Sequence, residues 1–347
     1  MKKTVTRLAD GRELLYYDRR DDIVRDAVDR RRLEAVTTTS EIRHDPLLGD
    51  SVAVASHRQG RTYHPPAGEC PLCPSRDGWL SEIPDSDYDV VVLENRFPSL
   101  AGHSGRCEVV CFTPDHDASF AGLTEERTAL VLDVWTDRTA ELAGLPQVRQ
   151  VFCFENRGAE IGVTLSHPHG QIYGYPFVTP RTDAVRRSVA EHRAATGRNL
   201  FDDTLERELA DSVRVILEGA HWVAFVPYAA HWPYEVHLYP RRRVPDLREL
   251  DDAARTEFPQ VYLELLRRFD RIFGTDTLPT PYIAAWHQAP FGDGQRGDFA
   301  LHLELFTVRR TSGKLKFLAG SESGMSVFTN DVLPETAAQR LREVAST

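Results

Sequence analysis

Nowhere does the chain hold the roughly 20 consecutive apolar residues that cross a bilayer as a helix. Its opening, Met1-Lys2-Lys3-Thr4-Val5-Thr6-Arg7, has no apolar core of the kind a secretory signal carries. No membrane partner is therefore expected, and a cytoplasmic location is. Positive charge is also short, with 42 Lys and Arg against 52 Asp and Glu, a net −10. A nucleic-acid surface needs clustered positive charge to neutralise phosphates, so no nucleic-acid partner is expected. A few local basic residues can still hold a small anion. Cysteine is scarce: five residues, an odd count without a secretion signal, argue against a disulfide framework. Only Cys70 and Cys73 have metal-ligand spacing, and Cys107, Cys111 and Cys153 lie in apolar strand contexts that read as buried thiols.

What is present is ordinary globular material. With 41% hydrophobic and 27% charged residues, 347 residues allow one large or two medium domains. The stretch that organises the chain runs from Phe154-Glu155-Asn156-Arg157-Gly158 through Gly162 and Thr164 to His167-Pro168-His169-Gly170-Gln171. Two histidines two apart on extended backbone point to one side, so one can bind something fixed while the other faces a substrate. Pro168 restrains the backbone between them, Gly170 permits close approach, and Gln171 offers an uncharged donor and acceptor. A pair of hydrogen-bonded structural histidines is the plainer alternative.

Three further groups bear on chemistry. Glu69-Cys70-Pro71-Leu72-Cys73 is spaced so that two thiolates can meet one zinc, but the pair needs two more ligands, for which His116 and His167 are candidates. Arg58 and Arg61 follow the strand Ser51–Ser56, where two guanidinium groups can converge on a phosphate, although surface arginines are the commoner outcome. Asn95 and Phe97 stand just past the strand Asp89–Glu94, placed to hydrogen-bond and stack on a base and ribose.

The central stretch resembles the active-site segment of galactose-1-phosphate uridylyltransferases, the transferase branch of the histidine-triad superfamily. Asn156-Arg157-Gly158-Ala159, Gly162 and His167-Pro168-His169-Gly170-Gln171 carry the resemblance, which spans about Asp45 to Arg342. It implies His169 as nucleophile with Gln171 beside it, and a structural zinc held by Cys70, Cys73, His116 and His167. Hydrolase members of the superfamily typically have a third His in place of the Gln, so Gln171 favours transfer. The resemblance further implies that Arg58 and Arg61 contact the nucleotide diphosphate, that Asn95 and Phe97 bind uridine, and that Asn156, Gly162 and Thr164 contact substrate. Lys316, Phe317 and Glu322 match the segment that contacts the substrate's phosphate and sugar, with Ser321 replacing the Tyr of some relatives. Members often use that segment across a dimer interface, so a homodimer is implied.

The activity implied is exchange of UMP between UDP-glucose and galactose 1-phosphate through a uridylyl-histidine. A related nucleoside diphosphate sugar phosphorylase or adenylyltransferase, or a non-catalytic zinc-stabilised nucleotide-binding module, are the alternatives. Some relatives carry a second metal on a Trp-His-x-Ala-Pro-Phe motif, a later His-x-His and a Glu. Here Trp286-His287-Gln288-Ala289-Pro290-Phe291 is intact, but the later pair reads His302-Leu303-Glu304 and Val185 stands where the Glu would be. A hydrogen-bonded cluster of His287, His302 and Glu304 is therefore expected in preference to a tight metal site.

The expected fold is α+β, a duplicated histidine-triad-like unit with antiparallel sheets flanked by helices. Residues 1–40 form an arm with a hairpin turning at Asp10-Gly11 and a charged stretch, Asp18 to Glu34, of helical composition. Residues 41–196 form a first half with the active and zinc sites, including a helix from the Thr124 N-cap to Ala143. Residues 197–347 form a second half that repeats the order strand-strand-helix-strand-strand, with Leu301 to Glu304 standing where the first half has Ser166 to His169.

Overall fold

The computed structural model describes residues 1–35, 40–60, 64–274, 278–292, 294 and 296–346. The chain divides into two compact units: Met1–Cys153, Thr164–Asp183 and Pro290–Gly292 in the first, and Phe154–Val163, Ala184–Ala289 and Asp293–Thr347 in the second.

In the first unit the strands are β1 (Lys2–Arg7), β2 (Glu13–Asp18), β3 (Glu41–Asp45), β4 (Asp50–Val54), β5 (Val90–Glu94), β6 (Arg106–Cys111) and β8 (His169–Tyr175), together with the start of β7 (Gln150–Arg157). The main sheet runs β1-β2-β5-β6-β8-β7, while β3 and β4 form a separate two-stranded sheet among the described residues. The hairpin between β1 and β2 turns where Gly11 takes φ +89°, a conformation that favours glycine. Strand β5 reads Val-Val-Val-Leu-Glu and is buried on both faces, as an apolar run without alternation requires.

One face of this sheet is covered by helix α1 (Glu125–Ala143). Thr124 caps it by accepting the N–H of Arg127, and Glu125 and Glu126 sit in the first turn, where the helix dipole favours negative charge. Thr128, Val131, Leu132, Trp135, Arg138, Thr139 and Leu142 are buried at helical spacing. Arg138 is the one charged member of that stripe, and it forks onto both oxygens of Glu108 from β6 at 2.9 and 2.7 Å. On the other face, Leu14, Tyr16, Val91, Leu93 and Cys111 pack with Cys70, Leu72 and Cys73 from the knuckle.

The second unit has the end of β7, helices α2 (Pro180–Thr196, mostly here) and α3 (Leu200–Asp211), then β9 (Val215–Glu218), β10 (Trp222–Phe225), β11 (Tyr234–Pro240), α4 (Asp252–Arg271), β12 (Tyr282–His287) and β13 (His302–Thr307). Its sheet runs β7-β12-β13-β11-β10-β9. The duplication is visible in the topology: β5-β6-β8-β7 with α1 between β6 and β7 is repeated as β10-β11-β13-β12 with α4 between β11 and β12. Register agrees as well, since Cys111 faces His169 across β6 and β8, and His237 faces Glu304 across β11 and β13.

One expected helix is absent. The stretch from Asp21 to Glu34 contains no helix, and its Arg25 and Arg31 are held instead in local and long-range ion pairs. Arg25 bonds Asp18, and Arg31 bonds Asp29 and the buried Glu82. Composition is a weak prior, and these contacts override it. Strand β8 also begins earlier than its apolar residues suggest, so that His169 is its first residue.

Candidate functional site

In the first unit, Cys70, Cys73, His116 and His167 each bring one donor atom within 4.8 Å of the others. The Sγ of Cys73 lies 3.3 Å from Nδ1 of His116 and 3.5 Å from Nδ1 of His167. His167 is held from behind: its Nε2 is 2.8 Å from the Thr113 carbonyl and 2.9 Å from the Tyr88 hydroxyl. With Nε2 carrying the proton toward Thr113, Nδ1 presents its lone pair to the thiols, the tautomer a metal needs. Burial, helped by Cys70, pushes the Cys73 thiol up to about 12, and burial lowers His167 to about 4. Two buried thiols beside two imidazoles fit a divalent cation, which would deprotonate the sulfurs and offset their burial. Tyr88 and Thr113, the supports of His167, carry no signal in the sequence, because a hydroxyl and a backbone carbonyl are common to any core.

His169 follows directly. Its Nδ1 lies 2.7 Å from the carbonyl oxygen of His167, so Nδ1 donates its proton there and Nε2 keeps a lone pair. Desolvation lowers its pKa from the ordinary histidine value, which keeps the ring neutral near pH 7. Along β8 the half-buried His169, Gln171, Tyr173 and Tyr175 alternate with the buried Gly170, Ile172 and Gly174. A side chain at Gly174 would meet Val148 at 2.9 Å, so the fully packed face needs glycine there. The hydroxyl of Tyr173 donates to Oε1 of Gln171 at 3.1 Å. Tyr173 was missed in the sequence, although its period-two spacing from His169 and Gln171 is the signal that could have found it.

Arg58, Asn95 and Phe97 come together in the same unit. Arg58 Nη1 donates to the Phe97 carbonyl at 2.6 Å, and His57 Nε2 lies 2.8 Å from the Pro98 carbonyl. Asn95 Oδ1 accepts the N–H of Phe97 at 2.8 Å, which fixes the turn and spends that oxygen. Arg61 lies outside the described residues. The carbonyl of Thr164 accepts the N–H of His64 at 2.9 Å.

The remaining expected contacts belong to the second unit. Asn156 is half-buried on β7 opposite Ile283, and Gly162 takes φ +84° with nothing near its missing side chain. Lys316 is buried, with its ammonium 2.9 Å from Oε1 of Glu322, which sits in the first turn of α5 (Gly320–Met325). The hydrogen bond from Lys316 holds the Glu322 carboxyl below its ordinary range. Phe317 is 74% exposed. These two charges are thus paired to each other.

A second cluster lies in this unit. Nε2 of His287 is 3.3 Å from one oxygen of Glu304, and Nε2 of His302 and of His237 are each 3.6 Å from the other. His237 is also 2.9 Å from Glu235, whose other oxygen accepts the backbone N–H groups of His231 and Trp232. Burial raises the Glu304 pKa, but His287 and His237 outweigh it and hold the carboxyl well below its usual value. His302 is lowered by burial to about 4 and its Nδ1 meets the Ala300 carbonyl at 2.9 Å. His287, His302 and Glu304 form one group able to hold a metal ion, and Glu235, His237 and Glu304 another. Glu235 and His237 were missed because they lie 69 and 67 residues before Glu304 on a strand whose sequence is otherwise apolar.

Known proteins resemble this chain over nearly its whole length. Residues 101–179 match the family described as galactose-1-phosphate uridyl transferase, N-terminal domain, and residues 184–347 match its C-terminal domain. The chain is 68% identical to the galactose-1-phosphate uridylyltransferase of Streptomyces lividans, over 99% of this chain and 98% of that one. With the enzyme of the same name from Thermotoga maritima it shares 36% identity, over 87% and 98%. A solved structure of uridylyltransferase superposes with TM-score 0.77 at 31% identity, covering 88% of this chain and 98% of the other. An ADP-glucose phosphorylase from Arabidopsis thaliana, with TM-score 0.69 at 23% identity over 89% and 100%, shares the fold.

Proposed function

The chain belongs to the galactose-1-phosphate uridylyltransferase family, and from that premise we propose that it exchanges UMP between UDP-glucose and galactose 1-phosphate through a covalent intermediate on His169. The single observation that carries the mechanism is the bond from His169 Nδ1 to the His167 carbonyl, which leaves Nε2 as the free nucleophilic nitrogen. Nε2 attacks the α-phosphorus of UDP-glucose, the N–P bond forms, and the P–O bond to the β-phosphate breaks to release glucose 1-phosphate. The imidazolium so made keeps its Nδ1 proton on the His167 carbonyl. A phosphate oxygen of galactose 1-phosphate then attacks the same phosphorus, the N–P bond breaks, and UDP-galactose leaves with neutral His169 restored. Neutral imidazole is nucleophilic near pH 7 and the leaving group is already a phosphate, so no strong general acid is required.

Charge on the phosphoryl oxygens has to be met by donors, for which Gln171, Arg58 and Arg61 are proposed. Asn95 and Phe97 are assigned to uridine, Asn156, Gly162 and Thr164 to further substrate contacts, and Lys316, Phe317 and Glu322 to the hexose phosphate. Zinc is assigned to Cys70, Cys73, His116 and His167; with four protein ligands it supplies a structural anchor for His167. A homodimer in the cytoplasm, and a division into an arm of residues 1–40 with halves at 41–196 and 197–347, complete the reading. No helix among the described residues is long and apolar enough to cross a membrane.

The test is to supply radiolabelled UDP-glucose alone, then to compare UDP-glucose, ADP-glucose and free phosphate as substrates. Stoichiometric uridylyl-enzyme and ping-pong kinetics with the uridine sugar are expected. Exchange that requires both sugar phosphates bound together, or a preference for ADP-glucose with free phosphate, would replace this reading.

A further inference from the structure

We infer that Tyr173 is a positioning residue for Gln171, holding its side-chain amide so that the NH₂ end is the one presented to the phosphoryl group. The inference rests on the donor role proposed above for Gln171. An amide can offer either its oxygen or its nitrogen, and at a phosphoryl centre only the nitrogen is useful, since an oxygen there would repel the charge it has to meet. Which end faces the substrate is therefore part of catalysis. In this chain Tyr173 settles it: the two residues share one face of β8, and the tyrosine O–H donates to Gln171 Oε1 at 3.1 Å. Burial raises the tyrosine's pKa, so the hydroxyl keeps its proton; Cys107 is a further side-chain partner of that hydroxyl, and the 3.1 Å contact is the one that reaches Gln171.

The hydroxyl is itself tied to the nucleoside loop, because Ser99 Oγ lies 3.4 Å from it. Ser99 is two residues past Phe97, and the same loop is gripped through the Phe97 and Pro98 carbonyls by Arg58 and His57. A short chain of hydrogen bonds thus runs from the loop assigned to uridine, through Ser99 and Tyr173, to the amide assigned to the α-phosphate. Nucleoside position and amide orientation are set by one connected network.

Tyr173→Phe keeps the ring and its edge contact with Tyr175, whose centroid is 5.9 Å away, and removes only the hydroxyl. The rate of uridylylation by UDP-glucose alone should fall about five- to tenfold, the effect of one hydrogen bond, with KM moved less than about twofold. Zinc content and the unfolding midpoint should not change. In a Gln171→Ala background the same substitution should add nothing, because the group it positions is gone. Equal losses in the two backgrounds overturn the inference. If Gln171→Ala leaves transfer intact, both this role and the one proposed for Gln171 fail; if Gln171→Ala is slow but Tyr173→Phe is not, only the positioning role fails.

A second variant avoids any loss of side-chain volume. With 3,5-difluorotyrosine installed at position 173, whose phenol ionises far below that of tyrosine even after burial raises it, transfer should fall as pH rises through that ionisation, since a phenolate cannot donate. The neighbouring titratable groups are Tyr175 and Cys107, both of which burial pushes up, Cys107 to about 11, together with the guanidinium of Arg58, and none of them changes charge near the fluorinated phenol's ionisation. A pH profile identical to that of the unmodified enzyme overturns the inference.

Discussion

The carbonyl oxygen of His167 accepts the Nδ1 proton of His169 across 2.7 Å. One residue therefore works at both its ends: the side chain of His167 turns toward Cys73 and His116, while its main chain selects the tautomer of the next histidine. Pro168, which cannot donate, sits between them with its φ restricted, so the backbone that carries the two rings is restrained.

The nucleophile is the first place to test this. His169→Ala should lower covalent labelling and exchange by about 10,000-fold or more, as removal of a nucleophile does. The protein should remain folded and zinc-bound, because the His169 side chain lies outside the four-donor cluster. Labelled protein recovered from this variant would move the nucleophile elsewhere. Gln171→Ala should slow both half-reactions while UDP-glucose still binds.

The zinc assignment has its own readout. Purified protein should carry one equivalent, and Cys70→Ser with Cys73→Ser should take it to about zero while lowering the unfolding midpoint. Without the cation the two buried thiols stay neutral, one pushed up to about 12, and the fold loses the cross-link that zinc would make between Cys70, Cys73, His116 and His167. A double mutant that is zinc-free, fully stable and active would remove the metal from the account.

Much of this site is legible in the sequence, and the reason is local spacing. Cys70-x-x-Cys73, His167-x-His169 and Asn95-x-Phe97 each place their members within a few residues, and the strand-strand-helix-strand-strand order repeats in the same sense in both units. What stays hidden depends on registers that no window spans. His237 meets Glu304 only because β11 pairs with β13, and Thr113 meets His167 only through the fold. Asp21 to Glu34 misleads for the related reason that its arginines find partners as distant as Glu82, and those partners outweigh helix propensity.

Glu304 tests whether the second cluster is a hydrogen-bonded network. Glu304→Ala should cost about 1–3 kcal/mol, because His287 and His302 lose a shared buried acceptor. Metal content should stay at one equivalent per chain before and after, measured by elemental analysis. A second equivalent of zinc or iron, lost when His287 or His302 is replaced, would assign the cluster to a metal after all.

The last prediction concerns a carboxyl that has no ion pair among the described residues. Glu155 is buried on β7, accepts a hydrogen bond from the Tyr282 hydroxyl at 2.9 Å, and is raised by burial from 4.5 to about 7, with Arg157 only partly opposing the shift. A folded-state pKa above the unfolded one means that the protonated form is favoured by folding. Its contribution to stability is therefore complete below pH 4.5 and is lost as pH rises through about 7. Glu155→Gln keeps an acceptor for Tyr282 and cannot ionise. Relative to the unaltered chain, it should be nearly neutral at pH 4.5 and increasingly stabilising toward pH 7, by about 3 kcal/mol where the difference levels off. Denaturant unfolding at a series of pH values measures this directly. A difference that does not grow across that window would mean that Glu155 is ionised in the folded protein and that its partners are stronger than Tyr282 alone.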